Sequence, residues 1–199
     1  MSAGSLVAAS DAVLAVVAIW VGVRFALTDL RRLQRMLAAG GALLIAAAAA
    51  VGCLRFAGFD ELRELHMALS NQGAIIGLPA MLVAVSWGWL DGRLPDAALT
   101  VAAAILLIGL AWAQLRPVAA AVSFLLVLTR LMVSRDRRVV PVLMLATLGG
   151  LAWLASTRSL GADGRLVLLH AALAVLLLLL LLTLQALPPA SLRRSPVKA

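Results

Sequence analysis

From Leu6 to Leu187 the chain is a succession of long apolar runs, broken only by short stretches that carry arginine. A helix needs about 20 apolar residues to cross the hydrocarbon layer of a bilayer. No water satisfies backbone N–H and C=O groups there, so spanning segments fold as helices or as strands of a closed barrel. Barrel strands alternate in polarity. The all-alanine and all-leucine stretches at 46–50 and 176–182 do not, so the runs predict helices.

Seven spans are expected: Leu6–Leu27, Met36–Leu54, Leu65–Leu90, Ala97–Leu115, Pro117–Val133, Val139–Ser156 and Leu166–Leu187. The fold class is then all-α, a seven-transmembrane-helix bundle. Of the 199 residues 64% are hydrophobic and 13% charged, against about a quarter charged in soluble domains, which excludes a water-soluble globule. Disorder is excluded as well, because it requires low hydrophobicity. The first run has no basic leader and carries Asp11, so it is expected to stay in the membrane rather than serve as a signal peptide.

The net charge of +8 comes from 17 basic and 9 acidic residues. Clustered between apolar runs, the arginines read as membrane loops rather than a nucleic-acid surface, and no tyrosine stands among them to stack bases. Nucleic acid is not an expected partner; the lipid bilayer is. Arg24, Arg31, Arg32, Arg35, Arg93 and the cations around 130–138 and 193–198 fall on one side, and Arg55, Arg63, Arg116, Arg158 and Arg165 on the other. The richer side is cytoplasmic by the positive-inside rule, which puts the N-terminus outside, the C-terminus inside, and the chain in an inner membrane. Residues 188–199 form a basic cytoplasmic tail behind Pro188 and Pro189. Trp20 lies deep in its span and is expected to pack inside. Cys53, the single cysteine, has no disulfide partner in the chain and reads as a small core residue.

Two stretches match in arginine spacing, Arg24 to Arg31-Arg32 and Arg130 to Arg137-Arg138. Each is followed by a double glycine, Gly40-Gly41 and Gly149-Gly150, and later by Leu-His, with His66 and His170 at equivalent places. These matches suggest a parallel 3+1+3 repeat within one transmembrane domain at 1–187, residues 6–90 and 117–187 flanking a linker helix at 97–115. Parallel repeats are a transporter device. The glycines, including Gly73 and Gly77, allow close helix approach.

Ionisable side chains near hydrocarbon are costly, roughly 2.5–3.5 kcal/mol at the bilayer centre, and so mark candidate sites. Asp11 lies about one turn into the first span, Arg55 closes the second, and His66, Ser70 and Asn71 open the third; His170 lies about one turn into the last. Alternation of the spans brings all six to the exterior leaflet, where they are the candidate ligand-binding residues. Ser70, Asn71 and Gln72 also suit plain helix–helix hydrogen bonding. Asp11, His66 and His170 read as a solute- or proton-handling group in a carrier, as N/O ligands for zinc with an open fourth position, or, for the histidines, as axial ligands to a haem.

Comparison with known seven-helix families stops at architecture. Microbial rhodopsins need a lysine in the last helix, and 166–187 contains none. The sugar carriers with a 3+1+3 plan have a proline in the first helix of each half; here only Pro117 fits. The ceramidase-type zinc hydrolases need His-x-x-x-His, where His170 is followed by Ala174. The expected function is a small carrier or ligand-binding membrane protein with an exterior polar pocket. The alternatives are a metal-dependent hydrolase of a lipid-like substrate and a structural subunit of a larger complex. A small molecule or lipid, and homo- or hetero-oligomeric neighbours, are the partners these readings admit.

Overall fold

The computed structural model describes residues 3–30, 32–88, 104, 114 and 161–185. Among them five α-helices form and no strand: α1 (Ala3–Leu27), α2 (Arg32–Phe56), α3 (Arg63–Gln72), α4 (Leu78–Gly88) and α5 (Ala162–Gln185). A 3₁₀ turn, Asp60–Leu62, precedes α3, and a π-helical turn, Gly73–Gly77, joins α3 to α4. Three helical segments are long and apolar enough to cross a membrane: Gly4–Leu27, Arg32–Phe56 and Ala162–Leu182. At 1.5 Å per residue each spans the ~30 Å hydrocarbon layer.

This corrects the expected seven-helix bundle. The third expected span, Leu65–Leu90, is not one uniform helix but α3, a π turn and α4, with α3 and α4 only 10 and 11 residues long. Pro79 supplies the cause. It has no N–H for the carbonyl four residues back, and its ring crowds that turn. A wider turn relieves the conflict, and the Leu78 N–H reaches back to the Gly73 carbonyl. The five helices among the described residues do not support the seven spans that the 3+1+3 plan requires. The expected spans at 97–115, 117–133 and 139–156 and the tail at 188–199 lie outside the described residues.

Helix ends follow local chemistry. At the end of α1 the Thr28 hydroxyl donates to the Arg24 carbonyl at 2.6 Å, and the Leu30 N–H to the Thr28 carbonyl at 2.8 Å, which turns the chain into α2. The end of α2 is a Schellman motif: Phe59 N–H donates to Leu54 O at 3.2 Å and Gly58 N–H to Arg55 O at 3.1 Å. Gly58 has φ +121°, a conformation that disfavours a side chain.

Helices α1, α2, α4 and α5 share one apolar core, with Leu14, Ala18, Val21, Phe25, Ala42, Met81, Leu176 and Leu180 buried within it. Where Gly41 of α2 meets Gly77 of the π turn no methyl fits. A Cβ on Gly41 would meet the Gly77 carbonyl oxygen and lie 2.7 Å from Met81 Cγ, and one on Gly77 would lie 2.9 Å from the Gly41 oxygen. Two turns earlier on α2, buried Gln34 donates from Nε2 to the Ala84 carbonyl of α4 at 2.6 Å. Outward, α1 presents Val13, Val16, Ile19, Val23 and Leu27. Trp20 joins that face at 51% exposure rather than packing inside, and Cys53 is only partly buried. An apolar exterior of this kind suits lipid.

Candidate functional site

Asp11 and His170 each stand eight residues after the first residue of their helices, about 12 Å along the axis at 1.5 Å per residue. They meet: His170 Nδ1 lies 3.3 Å from Asp11 Oδ1. The same nitrogen is 3.0 Å from Ser10 Oγ, whose hydroxyl donates to the Val7 carbonyl at 2.8 Å. With that hydroxyl proton already engaged, Ser10 Oγ accepts, so His170 carries its proton on Nδ1, the nitrogen that faces the Asp11 carboxylate.

A second imidazole arrives from the α2–α3 connection. The Schellman turn and the 3₁₀ turn reverse the chain, and α3 returns His66 to the end of α2. His66 is the one buried residue of α3. Arg55 Nη1 donates to His66 Nδ1 at 3.0 Å, the Arg55 guanidinium lies 4.7 Å from the Phe56 ring centroid, and Phe56 meets His66 edge-on at 5.8 Å. Burial first, and the Arg55 charge second, hold the His66 pKa below the ordinary histidine value of 6.5. The neutral ring accepts at Nδ1 and therefore carries its proton on Nε2.

Gly52 makes the convergence possible. A Cβ there would lie 2.6 Å from Asp11 Oδ2 and 2.8 Å from His66 Nε2. The carboxylate oxygen from α1 and the imidazole nitrogen from α3 thus flank one spot against the bare backbone of α2. Asp11 is 1% exposed, and its Oδ2 has no hydrogen-bond partner among the described residues. Leaving a buried acceptor unsatisfied costs about 1–3 kcal/mol, so the oxygen requires an explanation.

These groups face a cavity of about 450 Å³, within the ~300–1,000 Å³ of typical ligand sites. Asp11, Arg55, His66, Ser70, Asn71 and His170 all line it, whereas Gln72 does not. The rest of the wall is apolar, chiefly Leu14, Ile45, Leu166, Leu169, Leu173 and Met67. The partner of Asp11 is His170, and Arg55 serves His66 instead. Gly52, Ser10 and Phe56 were not among the residues expected from sequence. A glycine one turn before Arg55 in an alanine-rich helix was the only available signal for the first.

Among the described residues no group of three or more His, Cys, Asp or Glu side chains is placed to hold a metal ion. The electrostatics agree, since the Arg55 guanidinium occupies the Nδ1 of one would-be ligand and would repel a second cation. No family model, no curated protein and no solved structure matches the chain.

Proposed function

We propose that the chain is a small ligand-binding protein or carrier of the inner membrane, with its binding cavity near the exterior leaflet. The observation that carries this reading is Asp11 Oδ2, a buried acceptor without a partner among the described residues, at a cavity of ligand size. An uncompensated buried oxygen destabilises the fold, and a donor group entering from the cavity would relieve that cost. The charges at the two ends of the bundle support the leaflet assignment. The site end carries Asp60, Glu61, Glu64 and Asp163 beside its arginines, while the α1–α2 connection carries Arg24, Arg32 and Arg35 against Asp29. The positive-inside rule then turns the site end outward.

Native mass spectrometry of the full chain released from nanodiscs tests the reading. Wild type is expected to retain a small molecule from the host membrane, and Asp11→Asn and Gly52→Ala to lose it. Identical spectra for all three, with no retained molecule, would contradict it and leave a structural subunit as the better account.

A further inference from the structure

The polar end of the cavity specifies the chemistry of what enters it. Asp11 Oδ1 faces His170, so among the described residues Oδ2 is the acceptor left open. His66 Nδ1 is engaged by Arg55, so Nε2–H is the donor that remains. These two atoms flank the same spot beside Gly52 without bonding each other. A group seated between them has to give a hydrogen bond to Oδ2 and take one from Nε2–H.

Few head groups do both. A hydroxyl has one O–H and two lone pairs. An ammonium has donors but no lone pair, and so leaves the imidazole N–H facing a cation. An ether or a carbonyl accepts only and leaves Oδ2 orphaned. A carboxylate adds a like charge beside Asp11, which is unfavourable in a low-dielectric site. Beyond this end, Leu14, Ile45, Leu166, Leu169, Leu173 and Met67 offer nothing to a polar body and favour burial of hydrocarbon.

We infer that the cavity takes an amphiphilic alcohol: its hydroxyl bridges Asp11 Oδ2 and His66 Nε2, and its apolar body lies against α1, α2 and α5. The inference rests on the ligand-binding reading above and narrows it to one class. The hydroxyl gives Oδ2 the donor it lacks and keeps both imidazoles in the protonation states that their other partners impose. No covalent step is involved.

The test uses the full chain in nanodiscs and four probes of equal chain length: decanol, decyl methyl ether, decylammonium and decanoate. Retention of each is read by native mass spectrometry across a concentration series. Decanol is expected to bind, with the methyl ether weaker by about tenfold or more because it leaves a buried acceptor unpaired. Decylammonium and decanoate are expected to bind less well than decanol. The comparison of alcohol and ether needs no variant, so it survives any folding defect caused by mutation. Asp11→Ala adds a second readout: it should weaken decanol and leave the ether, whose oxygen takes only the His66 Nε2–H bond, close to unchanged. Ether binding within twofold of decanol, or decylammonium binding more tightly than decanol, would overturn the inference. Failure of all four probes while a host molecule of another class is retained overturns the alcohol and leaves ligand binding standing. Failure of the probes with no retained molecule overturns both.

Discussion

Gly41 and Gly52 lie on one face of α2, eleven residues and three turns apart, yet the missing side chain does different work at each. At Gly41 it lets two backbones touch, since the nearest obstacle to a methyl is the Gly77 carbonyl, held by the π turn. At Gly52 it lets two side chains meet, since the obstacles are the tips of Asp11 and His66. One end of the face is therefore packing and the other borders the candidate site. A backbone cannot retreat from an added methyl, whereas a side chain can rotate away and lose its partner.

That difference sets the order of expected effects. Gly41→Val should be the most damaging to the fold, separating α2 from the π turn and α4 at a cost of about 1–3 kcal/mol. A fall in the thermal midpoint of the protein in nanodiscs would show it; an unchanged midpoint would mean that the glycine contact is not tight. Gly52→Ala should leave that midpoint close to wild type and reduce ligand retention by about tenfold, the scale of one misplaced hydrogen bond. If it unfolds the protein instead, the two glycines are equivalent and the contrast between them fails.

Smaller effects sharpen the contrast. Gln34→Leu removes the clasp to the Ala84 carbonyl at the packing end and should cost about 0.6 kcal/mol, the mean for interhelical hydrogen bonds in membranes, with no change in retention. At the site end, Arg55→Gln removes a charge that lowers the His66 pKa while burial persists. The His66 ring, followed by nitrogen-15 NMR, should then titrate at higher pH than in wild type but still below 6.5. Titration at a lower pH than wild type would show that Arg55 is not a neighbour of the ring.

Much of the site is legible in the sequence because charge is costly in hydrocarbon. Asp11, Arg55, His66 and His170 are conspicuous among apolar neighbours, and reversal of successive helices brings them to one level, where they line one cavity with Ser70 and Asn71. The roles of Gly52 and Ser10 were not legible. A glycine that makes room for polar atoms looks like one that makes room for a helix, and Ser10 is defined only by a histidine 160 residues away. The third expected span misled because its hydropathy hides Pro79, whose missing N–H reshapes the helix without altering its apolar character. Trp20 misled through its depth in the run, which says nothing about the direction in which a ring points.

The decisive measurement is infrared difference spectroscopy on protein carrying carbon-13 aspartate, recorded as decanol is added. If Asp11 Oδ2 is the acceptor for a ligand hydroxyl, decanol should shift a labelled carboxylate band. Decyl methyl ether should not shift it, and the band should vanish from the difference spectrum of Asp11→Asn. A difference spectrum that is the same for alcohol and ether, or that persists in Asp11→Asn, would contradict the account.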